Sequence, residues 1–315
     1  MRGTPDPRSR DGDVGDPRGE IELVHGGHAA AHVPEALAAI RAQTALVPRA
    51  AVILGSGLGP VAAAVTPEPP GSAAGAASDA PRGAVIPTAE IPFWPHSTVP
   101  GHAGRLLLGY WGGVPVALLS GRSHRYEGYG LDSVTFSVRV FHALGARLLF
   151  LTNAVGSMNP RILPGSLMLV RDHLNWHGTR GLFRPGELAA AGERGSERPA
   201  PLYSPRLIAR LQEIARERRV PLAEGVLMGG LGPAYETAAE IATARRWGAD
   251  AACMSTVTEV LVGAGLGMEV AVISCVTNLA TGLAARALTH EEVIEVSDRA
   301  AAALGVLLGE AVAGA

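Results

Sequence analysis

The segment Gly121-Arg-Ser-His-Arg-Tyr-Glu-Gly-Tyr129 places Arg122, His124, Tyr126 and Glu127 within six residues, directly after the apolar run Val114–Ser120. If that run is a strand that continues, alternation sends residues 122, 124 and 126 to one side. Arginine supplies a fixed fork of donors and histidine a titratable one, a combination suited to an anion beside a sugar. The competing reading is a solvated charged turn.

Other segments carry compatible chemistry. Gly55-Ser-Gly-Leu-Gly59 follows a short apolar run, and its glycines let backbone N–H groups approach an anion, with Ser56 adding a hydroxyl. It is neither a P-loop, lacking Gly-Lys-Ser/Thr, nor G-x-G-x-x-G, since position 60 is Pro, and an ordinary tight turn fits it equally. Val99-Pro-Gly-His-Ala-Gly104 puts His102 in a turn, where bonding the turn itself is favoured over an anion role. Leu151-Thr-Asn-Ala-Val-Gly156 reads as a strand end entering a turn, the place where α/β sheets bind ligands. There the Ala154 N–H is a candidate anion donor, and Asn153 a candidate turn cap. Gly232-Pro-Ala-Tyr-Glu-Thr237 holds Glu236 just before a helix, as a helix-dipole partner or as an acceptor for the N–H groups of a purine, with Tyr235 beside the ring. Cys253-Met-Ser-Thr-Val-Thr-Glu259 offers Ser255 as a further anion hydroxyl and Met254 as an apolar floor or plain core. Asn278 closes Ser274-Cys-Val-Thr-Asn278 with an amide that can donate and accept, or simply cap the strand end. His290, after the candidate N-cap Thr289, can reach a hydroxyl or sit on the surface.

These residues need a frame. Helices are expected over 31–48, 131–144 (stopped by Gly145), 205–218, 237–247, 258–266 and 291–313. Strands are expected over 50–54, 104–110, 114–120, 147–152, 166–172, 224–228, 251–254 and 269–276, the second and third joined by Trp111-Gly-Gly113. Residues 66–88 and 175–203 read as a flexible excursion and a long loop. Strands alternating with helices make the fold class α/β: a single domain with a central mixed β-sheet flanked by helices. Residues 1–30, rich in Pro, Gly, Asp and Arg, are expected to be a disordered extension before a catalytic domain at 31–315.

Composition narrows the function. Of 315 residues, 47% are hydrophobic and 18% charged, with a formal net charge of -2. No basic run marks a nucleic-acid surface, and no apolar stretch approaches the roughly 18 residues a membrane helix needs. The N-terminus lacks a signal-peptide core, and Cys253 and Cys275 sit in apolar segments, both consistent with a cytoplasmic protein. The ten histidines show no ligand spacing for a metal; His173 and His177 are four apart but beside Gly178 in a loop-like context.

In this order, the motifs GSGLG (55–59), VPGHAGRL (99–106), GRSHRYEGY (121–129), TNAVG (152–156), RDHLN (171–175), GPAYET (232–237), MSTVTEV (254–260) and SCVTN with HEEV (274–278, 290–293) resemble the trimeric, 6-oxopurine-specific purine nucleoside phosphorylases. The resemblance spans about residues 35–312. It implies a nucleoside phosphorylase-like fold, a homotrimer, and cleavage of inosine- or guanosine-type (deoxy)ribonucleosides by inorganic phosphate for purine salvage. Phosphate is then a co-substrate, and no metal or organic cofactor is implied. Carried over by position, Ser56, Arg122, His124, the Ala154 backbone and Ser255 hold phosphate. Tyr126, Met254 and His290 hold ribose, and Tyr235, Glu236 and Asn278 hold the base. His124, Glu236 and Asn278 are the implied catalytic groups. In the related methylthioadenosine phosphorylases an Asp replaces the amide at 278 and favours 6-aminopurines.

Four departures stand out. Ser123 replaces a usual aromatic, Val155 and Ser157 replace small residues, and Thr258 replaces Pro. The family's subunit-bridging loop carries a phenylalanine, but the matching Ser196–Pro201 has none, leaving Phe183 as a substitute. That loop keeps two alternatives open: a phosphorylase of modified or 5′-substituted nucleosides, and a nucleoside-binding paralogue without turnover.

Overall fold

A computed structural model describes residues 29–69, 80–99, 101–178, 201–283 and 290–314, with the backbone alone at 29–30, 290–295 and 297–299. The expected N-terminal extension, most of the 175–203 loop (with Phe183 and nearly all of 196–201) and the His290 side chain lie outside the described residues.

Among the described residues, nine strands form one mixed sheet in the order β2-β3-β4-β1-β5-β8-β7-β6-β9. They are β1 (Ala50–Leu54), β2 (Ala84–Pro87), β3 (Arg105–Trp111), β4 (Val114–Ser120), β5 (Leu148–Ser157), β6 (Leu167–Asn175), β7 (Leu222–Gly229), β8 (Ala251–Cys253) and β9 (Glu269–Leu279). All five residues of β1 are buried, as a parallel strand covered on both faces requires. β3 and β4 form a hairpin whose two turn residues, Gly112 and Gly113, have φ of 55° and 87°, values suited to glycine.

The sheet also closes on itself. β5 pairs with β9 as well as with β8, so β5, β8, β7, β6 and β9 make a ring. β5 is the shared strand: β1 pairs with its residues 148–151, and β8 with Gly156 and Ser157.

The helices are α1 (Val33–Arg41), α2 (Leu131–Val134), α3 (Phe136–Leu144), α4 (Pro205–Arg218), α5 (Ala238–Arg246), α6 (Val257–Gly265) and α7 (His290–Ala313). One apolar core, including Ile40, Phe136, Phe141, Leu149 and Val260, lies between the sheet and α1, α3 and α6. A second, including Phe150, Leu211, Leu304 and Leu308, lies between the sheet and α4 and α7. Two N-caps anchor helices: Ser204 Oγ accepts from Leu207 N at 3.3 Å, and Thr237 with Glu240 forms a reciprocal capping box.

Several expected boundaries shift. The helix expected over 31–48 stops at Arg41, whose guanidinium donates to Leu46 O (2.7 Å) and Leu144 O (2.8 Å) and so fixes a non-helical descent that buries Leu46. The helix expected over 131–144 breaks at Thr135, whose hydroxyl donates back to Leu131 O at 2.8 Å. The excursion over 66–88 contains the edge strand β2. β5 runs on to Ser157 instead of turning after Thr152, because β9 pairs along its whole length.

Candidate active site

β4 ends at Ser120, and Gly121 (φ 96°) turns the chain. Residues 122, 124 and 126 therefore do not share a strand face: 122–124 lie outside any strand and Arg125–Glu127 form a 3-10 turn. The chemistry of this segment still converges. Arg122 is 5% exposed, its Nη1 donating to Thr152 O at 2.7 Å and its Nε to Glu259 Oε1 at 3.2 Å. Nη1 also approaches Ser255 Oγ at 3.5 Å, while Nη2 is buried with no hydrogen-bond partner among the described residues. Burial pushes the Glu259 carboxyl up, and the Arg122 charge opposes this. An arginine with one buried, unsatisfied N–H corner is poised for an anion.

His124 lies next to it. Glu127 Oε1 accepts from the His124 backbone N (2.6 Å) and contacts Nδ1 (3.0 Å). Burial, then the Arg122 charge, lowers the His124 pKa to about 4 against the pull of Glu127. At neutral pH the ring is uncharged, and with Nδ1 on the carboxylate Nε2 is its remaining atom. The Tyr126 ring stacks on it at 4.7 Å.

The glycine loop closes the other side. A Cβ on Gly55 would stand 2.7 Å from Asn153 Cα and 2.9 Å from Thr152 O, so only glycine admits this approach. Gly55 N donates to Thr152 Oγ1 at 3.0 Å. Ser56 Oγ meets His102 Nε2 at 2.9 Å, and His102 Nδ1 stands 2.6 Å from Arg122 O. His102 thus ties two anion-site segments together. Between the end of the β1 pairing at Leu151 and the start of the β8 pairing at Gly156, one edge of β5 has no strand partner. Ala154 lies in that gap, half-buried.

β8 runs antiparallel to β5 with Gly156 opposite Ala252, so its end carries Met254 and Ser255 back toward Ala154 and Asn153. A Cβ on Gly232 would fall 2.5 Å from Met254 Sδ and 2.9 Å from Tyr126 Cδ1. Tyr126, Met254 and the Gly232–Glu236 loop therefore meet. Glu236 Oε1 lies 3.0 Å from where a Gly230 Cβ would stand, and burial raises its pKa. Tyr235, by contrast, is 78% exposed.

Asn278 is aimed by a bulge. Val155 is opposite Val276 but Gly156 is opposite Asn278, leaving Thr277 as the extra residue. Thr277 Oγ1 donates to Asn278 Oδ1 at 2.8 Å, and Asn278 Nδ2 donates to Leu279 O at 3.0 Å. One amide N–H is left over. A Cβ on Gly156 would come 3.1 Å from that nitrogen.

The expected anion residues Ser56, Arg122, His124, Ala154 and Ser255 are thus gathered around the start of the β5 gap. Tyr126 and Met254 adjoin them, and Glu236 and Asn278 lie further along the same strand ends. Sequence reasoning missed the supporting roles of Glu259, Glu127 and Thr152, and it missed His177. The His177 ring packs on Gly229, where a Cβ would lie 3.0 Å from Nε2, and burial lowers its pKa to about 4. Among the described residues no group of three or more His, Cys, Asp or Glu could hold a metal ion.

Comparison with known proteins shows which family the chain belongs to. The family model for the phosphorylase superfamily matches residues 49–313. Purine nucleoside phosphorylase 1 of Geobacillus stearothermophilus is 42% identical over 252 residues, 80% of this chain and 86% of that one. Purine nucleoside phosphorylase 1 of Bacillus subtilis is 44% identical over 210 residues, 67% of this chain and 77% of that one. The Schistosoma mansoni purine nucleoside phosphorylase, solved in complex with adenosine (29% identity) and with inosine (28%), superposes with a TM-score of 0.76, covering 90% of this chain and 96% of that one. The chain belongs to the phosphorylase superfamily, among its purine nucleoside phosphorylases.

Proposed function

We propose that this chain cleaves 6-oxopurine (deoxy)ribonucleosides of the inosine and guanosine type with inorganic phosphate, releasing the base and (deoxy)ribose 1-phosphate for purine salvage. The observation that carries the reading is the buried Arg122, with one N–H corner unsatisfied, facing Ser255 and flanked by His124. Arg122, His124, Ser56, Ser255 and the Ala154 N–H hold phosphate. Tyr126 and Met254 bound the ribose, and His290 is assigned to its 5′-hydroxyl. Glu236 and Asn278 read the base, with Tyr235 at its edge.

The reaction follows from this placement. Breaking the glycosidic bond leaves positive charge on the sugar and negative charge on the departing purine. A phosphate dianion beside the sugar offsets the first, and the spare Asn278 N–H, donated to the base nitrogen N7, stabilises the second. The phosphate oxygen attacks the anomeric carbon as the bond to the base breaks, and the base leaves with the bonding pair. His124, neutral before phosphate arrives, either accepts a phosphate hydroxyl proton at Nε2 or takes up a proton in the dianion's field and donates. Positioning and electrostatics suffice, without a covalent enzyme intermediate, metal or organic cofactor. A homotrimer and a cytoplasmic setting belong to the same reading.

Base choice is the part that a relative's complex with adenosine puts to the test. The carboxylate of Glu236 accepts the N1–H of a 6-oxopurine, and adenosine lacks that hydrogen. A mismatch leaves buried polar groups unpaired, so discrimination is strong. Wild type should release hypoxanthine from inosine at least about a hundredfold more efficiently than adenine from adenosine. Asn278→Asp should narrow that ratio at least tenfold. Equal use of both nucleosides by wild type would sink the assignment of Glu236 and Asn278.

A further inference from the structure

Thr256 has φ 72° and ψ -50°, an unusual conformation for a β-branched residue. Val257 N donates to Ser255 O at 2.8 Å, closing a tight three-residue turn of the rare, strained kind. Such strain persists only where neighbouring groups enforce it. Here the enforcers are visible. Asn153 Nδ2 donates to Thr256 Oγ1 at 3.0 Å, both residues being almost fully buried, and Cys253 Sγ donates to Ser255 O at 3.1 Å.

Thr256 Oγ1 accepts from Asn153 Nδ2 and shares a second hydrogen bond with Ser255 Oγ at 3.1 Å, in which either hydroxyl can be the donor. Ser255 Oγ also receives the long approach of Arg122 Nη1 at 3.5 Å. With Thr256 as the donor in the bond between the two hydroxyls, the Ser255 hydroxyl keeps its own hydrogen to offer outward. The reverse arrangement, Ser255 donating to Thr256, would turn a lone pair toward an incoming phosphate oxygen.

We infer that Asn153 and Thr256 are positioning residues that fix the polarity of the Ser255 hydroxyl, making it a donor to the phosphate co-substrate. The inference rests on the phosphorylase reading above. It predicts a fault confined to phosphate. Thr256→Val removes the hydroxyl while keeping the shape, and should raise the KM for phosphate about tenfold, the usual loss for one hydrogen bond to a charged group. The KM for inosine should stay within about twofold, and Thr256→Ser should restore most of the phosphate KM. The phosphate-induced rise in Tm, measured without nucleoside, should shrink in Thr256→Val and recover in Thr256→Ser. Asn153→Leu should reproduce the Val phenotype and serves if Thr256→Val does not fold. A wild-type phosphate KM and Tm response in the Val and Leu variants overturns the inference, as does an equal rise in both KM values. The two readings fail separately: wild type that binds phosphate by Tm shift but releases no base refutes the phosphorylase reading, while the Tm series still tests the relay.

Discussion

Glu259 reaches Arg122 across 137 residues of chain, and both side chains are 3% exposed. Its carboxylate holds the guanidinium through Nε, leaving Nη2 for the proposed phosphate. Removing one member of a buried pair leaves the other charge uncompensated, which costs about 3–5 kcal/mol. Glu259→Ala should therefore lower unfolding stability by about 3–5 kcal/mol in urea titrations and abolish phosphate-dependent turnover. A loss below about 1 kcal/mol would show that the pair does not carry this weight. Arg122 and His124 were legible in the sequence because they sit together in one short polar segment after an apolar run. Glu259 was not, because an acidic residue in the first turn of an apolar helix has an ordinary role there, and only the folded chain brings it to Arg122. Ser255 and Met254 were found on a strand-turn-helix pattern, but the strained turn at Thr256 leaves no mark in residue types, since glycine would be the expected occupant.

At the scale of elements, glycines and bulges set the aim of the site. A Cβ on Gly121 would lie 2.7 Å from His102 Cβ and 2.8 Å from its Cα, and the residue has φ 96°. Gly121→Ala should push His102 away from Arg122 and Ser56. We expect a stability loss of about 1–3 kcal/mol together with a raised phosphate KM. Wild-type stability with a wild-type phosphate KM would show that the β4 end tolerates the shift. Most elements were legible from local signals: the apolar run of β1, the glycine pair between β3 and β4, and Gly145 at the end of α3. Errors arose where distant contacts decided the backbone. Arg41 ends α1 by bonding Leu144 O, and β5 is drawn past Thr152 by β9. The bulge at Thr277 that aims Asn278 was likewise invisible, because a bulge is a mismatch between two strands and neither sequence alone contains it. The closed ring of five strands depends on β6 meeting β9, a pairing of residues 167–169 with 273–275 that no local pattern announces.

For the whole molecule, burial of histidines makes stability depend on pH in a defined direction. Burial lowers the pKa of His124 and His177 to about 4, and also lowers those of His102, His142 and His173. In the unfolded chain these groups take up protons near pH 6.5. The unfolded state thus binds more protons between about pH 6.5 and 4, and stability falls as pH drops through that window while staying flat above it. The urea midpoint should decline from pH 7 to pH 5, and His177→Gln should lessen the decline. A midpoint unchanged over that range would mean the rings are hydrated in solution. The sheet itself explains why the site sits where it does: an open mixed half and a closed ring share β5, and the gap in its pairing lies between them.

The central claim is that phosphate, and not water, receives the sugar. The most direct test follows wild-type protein with inosine and inorganic phosphate by phosphorus NMR, with hypoxanthine measured in the same tube. The account predicts a sugar-phosphate resonance growing in step with hypoxanthine, one for one, and no hypoxanthine when phosphate is withheld. Hypoxanthine released at the same rate without phosphate, with free ribose as the other product, would contradict it.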